Sequence, residues 1–162
     1  MFTIIVSILL ILIISFLCSL CEAVLLTITP AFIAVETDGS HKSGKVLKSI
    51  TDNMHRSISA ILTLNTISHT LGSAWIAYLV QREFGESLLT VFSLFLTFMI
   101  LVFSEILPKT IGQNNPKSLA QFCAYAVQIM VIILYPIVKL SEFISTALTS
   151  PSEEPDITRD EM

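Results

Sequence analysis

Residues 87–110 read SLLTVFSLFLTFMILVFSEILPKT, a run with no acidic or basic side chain before Glu105 and with Pro108 and Lys109 directly after it. About 20 apolar residues in a helix rise about 30 Å, the thickness of the hydrocarbon core of a bilayer. The stretch is long enough to span, and its one carboxylate stands beside a residue that breaks or bends helices. Three further stretches behave alike. Between Phe2 and Val35 the one carboxylate or basic group is Glu22, Ser57–Val80 holds only His69, and Ser118–Val138 holds none. Two hydrophobic segments can be a buried core. Four with charged gaps between them are a membrane domain.

The whole composition agrees. Of 162 residues 53% are hydrophobic and 14% charged, where a soluble domain carries roughly 25% charged residues. The mean hydropathy is +0.78. The net charge of −4 comes largely from the tail, Glu153 to Glu161, and no basic patch points to nucleic acid. The opening MFTIIVSILL has no positive n-region and continues too long for a signal peptide. Cys18-x-x-Cys21 has no second pair, so Cys18, Cys21 and Cys123 read as small packing residues rather than a redox or zinc site.

The expected fold is all-α and integral to the membrane. Its first helix covers about 3–32, the second 57–80 and the third 87–107, with a fourth helical segment at 117–148. Residues 1–150 form one domain, and the acidic, proline-punctuated 151–162 reads as a linker. Glu36–Arg56 is a polar loop with room for a short amphipathic helix, and QREFGES (81–87) is a hairpin turn. Lys42, Lys45, Lys48 and Arg56 of the first loop, with Lys109 and Lys117 of the third, place that side in the cytoplasm and the N-terminus outside. The fourth segment either spans or bends at Pro136 and stays at the inner surface.

The informative residues are those a bilayer penalises. An acidic side chain at mid-membrane costs about 2.5–3.5 kcal/mol on insertion scales, so Glu22 and Glu105 must face protein, a partner or water. Helical spacing puts Ser15, Ser19 and Glu22 on one face. Asn65, His69 and Gly72 share a face of the second segment, with Ser73 beside them; Thr97 and Ser104 are seven apart in the third. Three such faces can meet at one site of hydroxyls, an amide, an imidazole and carboxylates. Mg2+ takes oxygen ligands at about 2.0–2.1 Å in octahedral geometry, and this donor set suits it. Pro108 removes a backbone donor and frees the Ser104 carbonyl. Each feature also has a structural reading. Ser and Thr bond the preceding turn, Asn65 and His69 join helices, and Glu22 pairs with Lys109.

Ser19-Leu-Cys-Glu22-Ala23, Leu64-Asn65-Thr-Ile-Ser-His69 and Ser104-Glu105-Ile-Leu-Pro108-Lys109, in this order and spacing, resemble the transmembrane domain of the CorC/cyclin M (CNNM) magnesium transporters. The resemblance covers nearly the whole chain. It implies three transmembrane helices plus a juxtamembrane helical segment, assembled as a homodimer in the plasma or inner membrane. It implies Mg2+ export, with Na+ as the coupling ion, and a pair of CBS domains after the linker. It favours a non-spanning fourth segment. Ser19, Asn65 and Glu105 carry over as ion-site residues and Pro108 as the structural break; Ser15 and Ser104 join them from helix spacing. Glu22, His69, Gly72 and Lys109 support the site. The sequence departs from the family pattern twice, with Ser104 for a Gly and His69 for a second Asn. The latter leaves open whether His69 binds the ion or its protonation modulates transport.

The leading expectation is a Mg2+ transporter. The alternative is a non-transporting, divalent-cation-sensing membrane anchor, with Gly72, Ser73 and Ala74 packing a dimer. No nucleophile–base pair stands out, so an enzyme is not expected.

Overall fold

Prolines decide where several helices begin. The computed structural model describes residues 1–38 and 42–148, and among these every regular element is helical. Helix α1 (Phe2–Thr27) stops because Ile28 turns to an extended conformation, φ −67° and ψ 137°. Pro30 then opens α2 (Pro30–Asp38), as a residue with no N–H suits a first helical turn. The first helix therefore does not reach Phe32 as expected. The amphipathic α3 (Lys42–Asp52) precedes α4 (Met54–Phe84), whose 31 residues exceed the expected 57–80. After a turn at Gly85, α5 (Leu89–Met99) passes through a π-helical segment, Ile100–Ile106, into α6 (Leu107–Asn114). Pro116 starts α7 (Pro116–Ile133), and Pro136 lies in the first turn of α8 (Tyr135–Leu148). The expected fourth segment is thus two helices, divided at Leu134. The linker expected at 151–162 lies outside the described residues.

Three continuous helical stretches are long and apolar enough to cross a bilayer: Phe2–Thr27, Glu86–Asn114 and Pro116–Ile133. Two of them are expected spans, while Pro116–Ile133 falls in the segment expected at the membrane surface and α4 is not among the three. Helix α4 rises about 46 Å, but Asn65, His69 and its Ser and Thr residues dilute its apolar character. Its course is nevertheless that of a spanning helix. It lies antiparallel to α1: the amine of Met1 pairs with Glu83 at one end, and Ala60 and Ile61 share a core with Leu25 at the other. Helix α7 meets the criterion of length yet does not run to the Met1–Glu83 end. Its Leu134 joins Leu47, Ile50, Ala60 and Ile61, and the Tyr135 ring lies 5.1 Å from the Arg56 guanidinium. The Leu134 end of α7 therefore lies toward α3 and the start of α4, and its other end lies by α2, where Lys117 Nζ is 6.0 Å from the Phe32 ring, as a juxtamembrane helix would.

The apolar interior has two parts. Ile4, Ile11, Ile76, Leu79, Val80 and Leu96 pack at the Met1 end, and a larger cluster from Cys18 to Val138 fills the other. Buried Ser15 falls between them on α1. Two glycines hold the flanking helices close to this stretch. A Cβ on Gly72 of α4 would stand 2.4 Å from Ile11 Cδ1. One on Gly112 of α6 would stand 2.9 Å from both the Leu20 carbonyl oxygen and Ala23 Cβ. Gly72 is thus used within the chain, against α1. Ser73 and Ala74 line a cavity with Phe92, Ser93, Leu96 and Thr97 of α5.

The two contacts predict unequal sensitivity to alanine. At Gly72 the obstacle is the end of a flexible Ile side chain; at Gly112 it is backbone. Overpacking typically costs about 1–3 kcal/mol. Gly112→Ala should fall in that range and Gly72→Ala below it, as measured by thermal unfolding in detergent micelles. Equal losses would contradict the rigid α1–α6 contact.

Candidate functional site

The polar side chains of α1, α4 and the third span meet between the two apolar clusters. The hydroxyl of Ser15 donates to Asn65 Oδ1 at 2.6 Å, and the Asn65 amide donates to Glu105 Oε1 at 3.0 Å. His69 Nε2 lies within hydrogen-bonding distance of Ser15 Oγ. The other Glu105 oxygen is 3.3 Å from Lys109 Nζ, which is also 3.2 Å from Glu22 Oε2. One chain of contacts thus runs His69–Ser15–Asn65–Glu105–Lys109–Glu22.

The directions follow from the donor count. Asn65 presents its amide N–H to a carboxylate, so its Oδ1 is the acceptor for Ser15. A serine has one proton, and with it committed to Asn65, His69 Nε2 is the donor to Ser15.

Ser19 completes the α1 face. It lies one turn after Ser15 and one turn before Glu22, both of which contact this network. Its hydroxyl is fully buried and has no hydrogen-bond partner. Leaving such a group unsatisfied costs about 1–3 kcal/mol. On α4, Ser68 is a second buried hydroxyl without a partner. The sequence reading missed it, although its three-residue step from Asn65 was a usable signal.

The third span departs most from expectation. Pro108 does not break it: the helix continues from Glu86 to Asn114, and Pro108 is fully buried. The backbone instead widens in the turn before, where the Leu107 N–H bonds the Val102 carbonyl five residues back. Pro108 brings no N–H, so a carbonyl of this turn loses its ladder donor, that of Ser104 in α register or Phe103 in π register. The extra residue in the turn lets adjacent Ser104 and Glu105 both face inward. Buried Ser104 reaches toward the Leu12 carbonyl at 3.5 Å, while Glu105 meets Asn65. The Leu12 backbone oxygen has no signature in a sequence. Thr97 is outside the site: its hydroxyl donates to the Ser93 carbonyl at 2.8 Å. Ser73 lies with it in the α4–α5 cavity.

Chemically the site is a set of oxygens around one carboxylate. Among the described residues no three His, Cys, Asp or Glu converge to hold a metal. The available donors are Ser15, Ser19, Asn65 and Glu105, with the His69 nitrogen at the edge. Glu22 is 17% exposed, Glu105 25% and Lys109 40%, whereas Ser15 and Ser19 are fully buried.

A multi-helix membrane domain with a polar, carboxylate-containing band between its spans is the class that fold and site define. The chain belongs to the family described as the cyclin M transmembrane N-terminal domain, which matches residues 5–162. It is 31% identical over 162 residues to the UPF0053 protein sll1254 of Synechocystis, covering 100% of this chain and 47% of that one. It is 30% identical over 108 residues to the UPF0053 inner membrane protein YfjD of Escherichia coli, 67% of this chain and 25% of YfjD. A DUF21 domain-containing chloroplastic protein of Arabidopsis thaliana, At1g55930, is 24% identical over 149 residues, 89% of this chain and 23% of that protein. The chain spans less than half the length of each of these relatives.

Asn65 is the joint of the network, bonded to α1 and to the third span. In membrane proteins such interhelical bonds are worth about 0.6 kcal/mol on average, up to about 1.7. Asn65→Leu should lower thermal stability in detergent by about 1 kcal/mol in total. A variant as stable as the parent would show that the two bonds do not hold the helices together.

Proposed function

We propose that the chain is the membrane domain of a Mg2+ transporter that exports the ion from the cytoplasm, with Na+ as the coupling ion. The observation that carries this reading is Ser19: a fully buried hydroxyl without a partner, on the helix face between two residues that both contact the Glu105 network. A hydroxyl in that position is supplied with a partner by a bound cation.

In this reading Mg2+ enters from the end where Glu22 and Lys109 are partly exposed, sheds part of its water, and is held by Ser15, Ser19, Asn65 and Glu105. The free Ser104 or Phe103 carbonyl is within the same turn as Glu105. Lys109 acts as a tethered counter-charge. It neutralises Glu22 and Glu105 while no ion is bound, and it yields Glu105 when Mg2+ arrives. Rocking of the α4–α5 hairpin against α1 then opens the outer side. The protein sits in the inner or plasma membrane with the N-terminus outside and the α2–α3 region cytoplasmic. It works as a homodimer and is regulated through a cytoplasmic CBS pair. Family membership, the inner-membrane relative and the loop charges support these assignments.

Two outcomes are expected in proteoliposomes. Glu105→Gln keeps the shape and removes the charge, and it should abolish Mg2+ flux. Retained flux would show that the carboxylate is not the ion's ligand. Lys109→Met removes the competing cation, so Mg2+ should bind roughly tenfold more tightly by calorimetry, in keeping with charge competition at a partly buried carboxylate, while flux slows because release is slower. Unchanged affinity would show that Lys109 does not compete. Absence of flux in the parent protein, with Mg2+ still raising its melting temperature, would mark a cation-sensing module instead of a transporter.

A further inference from the structure

An apolar groove of about 530 Å3 lies where α7 crosses α1 and α4. Ile13 and Leu17 of α1, Leu64 of α4 and a face of α7 with Tyr125, Ile129 and Leu134 line it, and no lining residue is charged. Its volume falls within the roughly 300–1,000 Å3 typical of ligand sites. Ile13 and Ile129 each leave more than half of their surface exposed, so the groove opens sideways, toward the bilayer. A cavity water needs several polar partners, which these walls do not offer. A hydrocarbon chain needs none.

The Leu134 end of the groove is different. The next residue, Tyr135, has two cations beside it. The Arg56 guanidinium is 5.1 Å from its ring centroid, and Lys139 Nζ is 5.6 Å from the centroid and 3.4 Å from the hydroxyl. Arg56 has a further partner. Lys139 is exposed, and an ammonium has three donors, of which the Tyr135 hydroxyl takes one. This end lies by α3 and the start of α4, the side that the basic loops assign to the cytoplasm. Tyrosine rings and long basic side chains favour the headgroup level of a membrane. Basic pockets between helices on the cytoplasmic side suit acidic lipid headgroups.

We propose that the groove binds an acidic phospholipid of the cytoplasmic leaflet, with one acyl chain between α1 and α7 and the phosphate at Lys139. An uncharged channel with a cationic mouth matches an apolar chain that ends in an anion, and this match favours a lipid over a second copy of the protein. Ile14 and Leu64 also line the groove, and they directly precede Ser15 and Asn65. A seated chain therefore packs on both helices that carry the polar band and ties them to α7. The inference does not depend on which ion the band holds.

The test is native mass spectrometry of the full chain released from detergent micelles. The probes are dioleoyl phosphatidylglycerol and dioleoyl phosphatidylcholine, which have the same chains under an anionic and a zwitterionic headgroup. The parent should retain phosphatidylglycerol roughly fivefold more tightly, the effect of about one basic side chain at a membrane surface. Lys139→Gln should remove that preference and leave phosphatidylcholine binding as in the parent. Ala126→Phe, which fills the groove, should weaken both lipids. Phosphatidylglycerol with a photoreactive diazirine in its acyl chain should label α1 near Leu17 and α7 near Ile129. Equal retention of the two lipids by the parent, an unchanged preference in Lys139→Gln, or labelling confined to other helices overturns the proposal. So does an Ile129→Cys variant that forms a disulfide between two copies in native membranes, because the second copy would then occupy the groove.

Discussion

Hydrocarbon offers a polar side chain nothing to bond to, and the rest of this molecule is arranged around that constraint. Each donor and acceptor left between the spans must find its partner on a neighbouring helix. Ser15, Asn65 and Glu105 do so across three elements, and Lys109 sets one ammonium within ion-pair distance of both Glu22 and Glu105. The apolar clusters on either side confine this band and separate it from the two ends of the bundle. Among the described residues, Ser19 and Ser68 carry the buried hydroxyls that lack a partner.

The band also requires close helices. A hydroxyl reaches an amide only if the backbones approach, and Gly72 and Gly112 remove the Cβ atoms that would prevent it. They contact α1 at Ile11 and at Leu20–Ala23, so Ser15 and Ser19 lie between two tight crossings. The π-helical turn has a related effect. It changes which residues of the third span look inward, and it places Ser104 and Glu105 together on the α1–α4 side. A widened turn beside a proline sits more easily in protein than in lipid, because neighbouring groups can satisfy the released carbonyl.

Lys109 ties the α1 carboxylate Glu22 to Glu105 of the third span through one ammonium.

The sequence by itself determined the solvent of this protein and the candidates for its site. Apolar length, the charge gaps and the costly residues Glu22, Asn65, His69 and Glu105 are local properties, visible without coordinates. The same holds for Ser15–Ser19–Glu22, because helical periodicity turns spacing into a shared face. Tertiary structure alone decided the rest. Pro108 signalled a break, but packing around a buried ring produced a widened turn instead. Thr97 shares a helix with Glu105 yet faces a different cavity, since the π turn shifts the faces between them. Gly72 has its partner at Ile11, and Lys109 joins Glu22 to Glu105, through contacts that connect residues far apart in the chain. Helix α7 is apolar enough to span but remains beside α3 and the start of α4. Periodicity describes one helix at a time; which helix each face meets depends on how closely the backbones can approach, and only the packed bundle sets that distance.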